Sequence, residues 1–194
     1  MNGIAYPKTA SRSFPTDWTL NLWEALLLIS SGITTVVLHR TFDLSLGLPG
    51  HHGIEWMALL LLGRVSSRFR GAGTLTGIGA AFASTLPFLH GGNTLTWFFY
   101  LIPGPMMDFA FHYLVRFKDK FWFLVLLGGL AHITKPLGQL SVNLITGWPF
   151  GSFRYGVLYP IASHLLFGMI GGLLAALILL ASRTLLSKSS STEG

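Results

Sequence analysis

Long apolar runs alternate with short polar breaks along this chain, and six runs stand out. A hydrocarbon core about 30 Å thick needs roughly 20 apolar residues at 1.5 Å per residue. The pattern predicts helices over residues 18–38, 54–63, 72–89, 95–115, 121–145 and 155–186. The second run is short and needs the flanking Val65, Ser66 and Ser67 to cross. The expected fold class is an all-α integral membrane protein with six transmembrane helices. Residues 1–17 form a polar N-terminal segment, 18–186 the membrane domain and 187–194 a polar tail. The first apolar run is too long for a signal-peptide core, and no small-x-small cleavage pattern follows it. It reads as a retained span.

Charge then orients the runs. Lys8, Arg12, Arg64, Arg68, Arg70, Arg116, Lys118, Lys120, Arg183 and Lys188 fall on one side of the predicted spans. Only Arg40 and Arg154 fall on the other, and Lys135 lies inside the fifth run. Basic connections stay in the cytoplasm, so both N and C termini are predicted cytoplasmic, in the cell (inner) membrane. The outer connections are then LPGHHGIEWM (48–57), LHGGNT (89–94) and TGWPFGSFRYG (146–156).

Composition agrees with this reading. The chain is 51% hydrophobic and 10% charged, where a soluble domain carries roughly 25% charged residues. The net charge of +6 is scattered between apolar runs rather than gathered into a basic stripe. The lipid bilayer is therefore an expected partner and nucleic acid is not. The absence of cysteine removes disulfides, thiolate metal sites and cysteine catalysis together.

Small residues recur every fourth position, at Gly73, Gly77 and Ala81 in the third run and Gly168, Gly172 and Ala176 in the sixth. Such faces let helix backbones approach closely in lipid. Ser30, Ser31, Thr34 and Thr35 in SSGITT are a weaker version. Packing within the chain and docking of another membrane subunit both fit these faces. Pro103 and Pro105 bracket Gly104, and Pro136 interrupts the fifth run. Each removes a backbone hydrogen bond, so both helices are expected to bend.

The polar residues within the spans carry the candidate chemistry, because an ionisable group in a span usually faces a partner or a cavity. Lys135 is expected to anchor an anionic group, with an internal ion pair or snorkelling as the alternatives. His132 precedes it by three residues, on nearly the same helix face. His164 and Tyr159 on the sixth helix, and Gln139 and Asn143 on the fifth, fall in the same outer half. Asp108 and His112, four apart on the fourth helix, are expected to pair locally or relay a proton. Glu24 belongs at the interface. In the outer mouth, His51, His52 and Glu55 carry imidazole and carboxylate donors that suit a transition metal, with His90 as a third imidazole. The same residues, together with Asn93, equally suit an organic ligand. The bland alternative is a wet rim at a helix N-terminus, where Glu55 complements the dipole.

The run GLPGHHGIEWMALLLLGRVSSRFRG followed by FLHGGNT, within residues 47–105, and the closing SHLLFGMIGGLLAALI resemble a known family. They are similar to the substrate-binding (S) components of energy-coupling-factor (ECF) transporters, with the cobalt/nickel and biotin components nearest in pattern. The resemblance implies capture of a scarce micronutrient, vitamin-like molecule or metal, from outside. Delivery would run through a membrane coupling subunit and two ATP-binding cassette ATPases. Ser30, Ser31, Thr34 and Thr35 would dock the coupling subunit, and His51 or His52 would match a histidine of the cobalt/nickel outer loop. The chain departs from the family in two places. It opens Met1-Asn2-Gly3, without the histidine that follows the initiator in cobalt/nickel components. Its sixth run also lacks the acid–lysine pair of the biotin components.

No G-x-x-x-x-G-K-[ST] motif is present, so an importer built on this chain draws its ATP chemistry from a partner. No HExxH or G-x-S-x-G motif appears either. The expectation is a non-enzyme with no resident cofactor. An intramembrane enzyme using His and acid residues, and a ligand-free structural membrane subunit, are the alternatives.

Overall fold

The computed structural model describes residues 19–41, 47–89, 95–118 and 120–191, with side chains through Leu185. The 1–17 segment, His90, Asn93 and most of the outer loop 89–94 therefore lie outside the described residues. The described chain is all-α. Its helices are α1 (Leu22–Thr41), α2 (Gly53–Ser66), α3 (Ala72–Thr85), α4 (Thr96–Leu101), α5 (Pro103–Tyr113), α6 (Phe121–His132), α7 (Thr134–Thr146) and α8 (Leu158–Ser191). Single-turn 3-10 helices at Val115–Phe117 and Gly151–Phe153 sit between α5 and α6 and between α7 and α8.

Eight helices make six rods, because α4–α5 and α6–α7 are each one rod with a break. The breaks fall at Ile102 and Ile133, beside the prolines that removed the backbone donors. The second helix reaches Ser66, so the flanking Val65 and Ser66 do extend it. Asn21 starts α1 by accepting the Glu24 N–H on its side-chain oxygen at 2.7 Å, an N-cap that satisfies an orphan donor. Among the described residues, three segments are long and apolar enough to cross a membrane: Leu22–Thr41, Phe121–Thr146 and Leu158–Leu185. They mark a multi-pass membrane protein.

Polar side chains lie among a mostly apolar core, and large apolar ones cover the surface. His132, His164, Thr35, Thr76, Ser84 and Arg64 are buried, while Leu22, Trp23, Phe82, Phe109, Leu144 and Leu166 are exposed. Apolar surface on this scale is rare on a soluble monomer and natural where lipid solvates the outside.

Small residues bring the rods together. α6 packs on α8, α1 on α3, and α2 on α8. A Cβ at Gly168 would run into the Gly128 carbonyl and one at Gly128 into the Gly168 carbonyl, so α6 and α8 touch backbone to backbone. The same holds where Gly32 of α1 meets Thr76 and Ala80 of α3. The stripes on the third and sixth helices are thus consumed inside the chain. Of the four SSGITT residues expected to dock a partner, Thr35 is fully buried and Ser31 reaches toward the Leu59 carbonyl at 3.4 Å. Ser30 and Thr34 alone face outward.

At the end bearing the basic turns, Asp108 locks three elements. Its carboxylate accepts the Gly73 and Thr74 N–H groups at 2.9 and 2.7 Å and the Thr74 hydroxyl at 2.7 Å. Arg64 Nε lies 2.8 Å from the same group, and its guanidinium stacks 4.7 Å from the Phe111 ring centre. The expected Asp108–His112 pair does not form. The exposed amides at the α3 N-terminus draw the carboxylate across, and His112 is exposed with its ring on Tyr113. Glu24 accepts the Ser67 hydroxyl at 2.6 Å at this same end, tying the start of α1 to the end of α2.

Candidate functional site

At the opposite end, the α1–α2 junction folds five of the chain's seven histidines together. The turn Pro49-Gly50 carries the chain into α2, with Gly50 at φ +81°. That left-handed backbone favours glycine, and a Cβ there would also lie 2.7 Å from the His164 ring. Gly53 rests on the His132 ring in the same way. The mouth turn thus sits directly on two buried imidazoles.

Those two imidazoles are satisfied by backbone. His132 Nδ1 donates to the His164 carbonyl at 2.9 Å, and His164 Nδ1 donates to the Pro160 carbonyl at 2.7 Å. A carbonyl oxygen only accepts, so both rings carry their proton on Nδ1. Both were expected to contact substrate. The structure places them under the turn, and neither lines the chamber described next.

That chamber, about 250 Å³, opens between α1, α3, α4 and α7. His39, Arg40, Tyr100, Lys135 and Gln139 supply polar walls, and Val36, Leu89 and Phe99 supply apolar ones. Lys135 Nζ stands 5.7 Å from the Trp56 ring centre and 5.8 Å from that of Tyr100. Among the described residues it makes no ion pair or hydrogen bond. Aromatic faces attract the ammonium weakly but do not neutralise it. Gln139 is held in place by the Ser152 hydroxyl, which donates to its side-chain oxygen at 2.9 Å.

His39, at the end of α1, joins the His51–His52 pair. Its ring centre is 3.6 Å from that of His52, and His51 is 3.8 Å from His52. His52 Nδ1 lies 3.1 Å from Glu55 Oε1. His51 Nδ1 donates to the Leu48 carbonyl at 2.6 Å, leaving its buried Nε2 without a partner among the described residues. The contacts continue from His39 to Tyr100 at 6.5 Å, from Tyr100 to Trp56 at 4.6 Å, and from Trp56 to His132 at 5.4 Å. An aromatic shelf therefore links the mouth to the buried seat.

No protein-family model, curated protein or solved structure matches the chain. What the site can do rests on its residues alone. A chamber with an uncompensated ammonium, aromatic faces and a fixed amide suits a small anionic or polar molecule.

The expected set is thus partly assembled. Lys135 lines the chamber, and His51, His52 and Glu55 gather at its mouth. Tyr159 does not join them: it is 38% exposed and its ring packs on Tyr155. Five residues turn a helix through about 140° relative to His164, so the two face different ways. Asn143 is also elsewhere, donating to the Trp148 carbonyl at 2.8 Å as α7 ends at Gly147. Sequence reasoning missed His39, Trp56 and Tyr100, each set in an apolar run. For His39 a signal existed: it lies in the last turn of α1, and His51 and His52 immediately precede α2.

Proposed function

We propose that this chain is the substrate-capture subunit of an ECF-type ABC importer, taking a small micronutrient from the outer side. On this reading all six rods cross the cell membrane, both termini are cytoplasmic and the histidine end faces outside. The basic turns at the Asp108 end, with Arg68, Arg70, Arg116 and Lys120, support that orientation. The observation that carries the reading is Lys135, an ammonium facing a chamber with no acidic partner among the described residues. A charge within a span is expensive, and an anionic cargo offsets that cost only while bound.

Energy would come from a membrane coupling subunit and two ATP-binding cassette ATPases, docked where Ser30 and Thr34 face outward. Affinity purification from native membranes in mild detergent tests this, with the bound chains identified by peptide sequencing. The expected result is stoichiometric recovery of one polytopic partner and of chains carrying the nucleotide-binding G-x-x-x-x-G-K-[ST] motif. Recovery of this chain alone, at full yield, contradicts it.

A further inference from the structure

The histidine mouth contains more than the capture reading uses. One donor atom each from His39, His52 and Glu55 lies within 4.8 Å of the others, and all three side chains are half-buried. Glu55 comes from the first turn of α2, His52 caps the start of that helix, and His39 comes from the last turn of α1. Zinc bonds to imidazole and carboxylate run about 2.0–2.2 Å, so small side-chain rotations bring the three donors onto one ion.

The donors already face one another: His52 Nδ1 lies 3.1 Å from Glu55 Oε1, so an ion held between them replaces this contact. Independently, His51 lies in ring contact with His52, and its Nε2 is buried without a partner among the described residues. Its Nδ1 is committed to the Leu48 carbonyl, so the unpaired atom is a lone pair, available to an ion or to water carried on one.

We propose that His39, His52 and Glu55 bind a divalent transition-metal ion at the mouth of the Lys135 chamber. A donor set of two imidazoles and a carboxylate, without thiolate, suits zinc, cobalt, nickel or copper over magnesium or calcium. Three protein donors leave a position open for water or for an anionic group of the cargo. His39 lines the chamber itself, so the ion and Lys135 address one volume from two sides. The inference rests on the capture reading only for the side from which the ion enters.

The test uses the full chain purified in detergent through a histidine-free tag, stripped with chelator, then titrated with Co²⁺ and Zn²⁺. Visible d–d absorption and metal analysis are the readouts. The proposal expects one Co²⁺ per chain, displaced by Zn²⁺, with affinity falling roughly tenfold or more in His39→Ala and His52→Ala. Glu55→Gln, which keeps the side-chain shape, is expected to weaken binding too. Lys135→Met removes a nearby cation, so it leaves metal affinity unchanged or higher while losing captured cargo. Absence of bound metal in the unsubstituted chain overturns the metal site, as does equal binding in His39→Ala and His52→Ala. Those outcomes leave the capture reading to its own test, because Lys135 and the partner subunits are measured separately.

Discussion

His132 donates its Nδ1 proton to the carbonyl oxygen of His164 across 2.9 Å, and the two rings lie 4.6 Å apart. This one bond ties the break between α6 and α7 to the start of α8. It also builds the seat on which Gly50 and Gly53 rest. The pair expected to bind a ligand also forms the floor under the mouth.

Gly53→Ala is therefore expected to destabilise the protein by about 1–3 kcal/mol, the usual range for overpacking a tight core. Gly50→Ala adds backbone strain to a collision with the His164 ring and is expected to cost at least as much. Gly151→Ala, with open space around it, should stay within about 0.5 kcal/mol of the parent. Thermal unfolding in detergent distinguishes the three, and equal midpoints would remove the seat from the account.

The Arg64–Asp108 pair is buried on both sides, with side chains 8% and 12% exposed. Breaking such a pair by removing one partner costs about 3–5 kcal/mol, because the other charge stays buried and unpaired. Asp108→Ala is expected to abolish recovery of monodisperse protein. Arg64→Met combined with Asp108→Asn, whose amide oxygen still accepts from the α3 N-terminus, should restore much of it. A folded Asp108→Ala protein with ligand capture lost would instead give Asp108 a direct role.

Much of this architecture could be read along the chain. The six rods fall near the boundaries set by apolar length, and two of them break near Pro103 and Pro136, where backbone donors are missing. The close helix contacts use the small residues that spacing had marked. Facing was harder to read. Asp108 and His112 share a helix face, yet amides on another helix decide where the carboxylate goes. Tyr159 neighbours His164 in sequence and points elsewhere. His39 gains its meaning only when the end of α1 is laid against the start of α2. Pairing across elements carries that information, and a single run of residues does not.

The outward pair on α1 makes a separate prediction. Ser30→Leu with Thr34→Leu enlarges an exposed stripe and should weaken recovery of the coupling subunit by several-fold, with thermal stability unchanged. Thr35→Leu overpacks a fully buried position and should lower stability by about 1–3 kcal/mol. If the exposed pair leaves recovery untouched, the docking face lies on another rod.

Sidedness has a direct readout because the chain has no cysteine of its own. Arg154→Cys and Arg68→Cys both occupy exposed positions. In intact cells an impermeant thiol reagent is expected to label the first and to reach the second only after lysis. The reverse pattern would turn the chamber toward the cytoplasm.

The central claim is that Lys135 holds a captured molecule, and native mass spectrometry of protein purified from its own membranes tests it most directly. The account predicts a discrete small-molecule adduct on the unsubstituted chain that disappears in Lys135→Met at equal folded yield. An identical spectrum from both proteins, with or without an adduct, would contradict it.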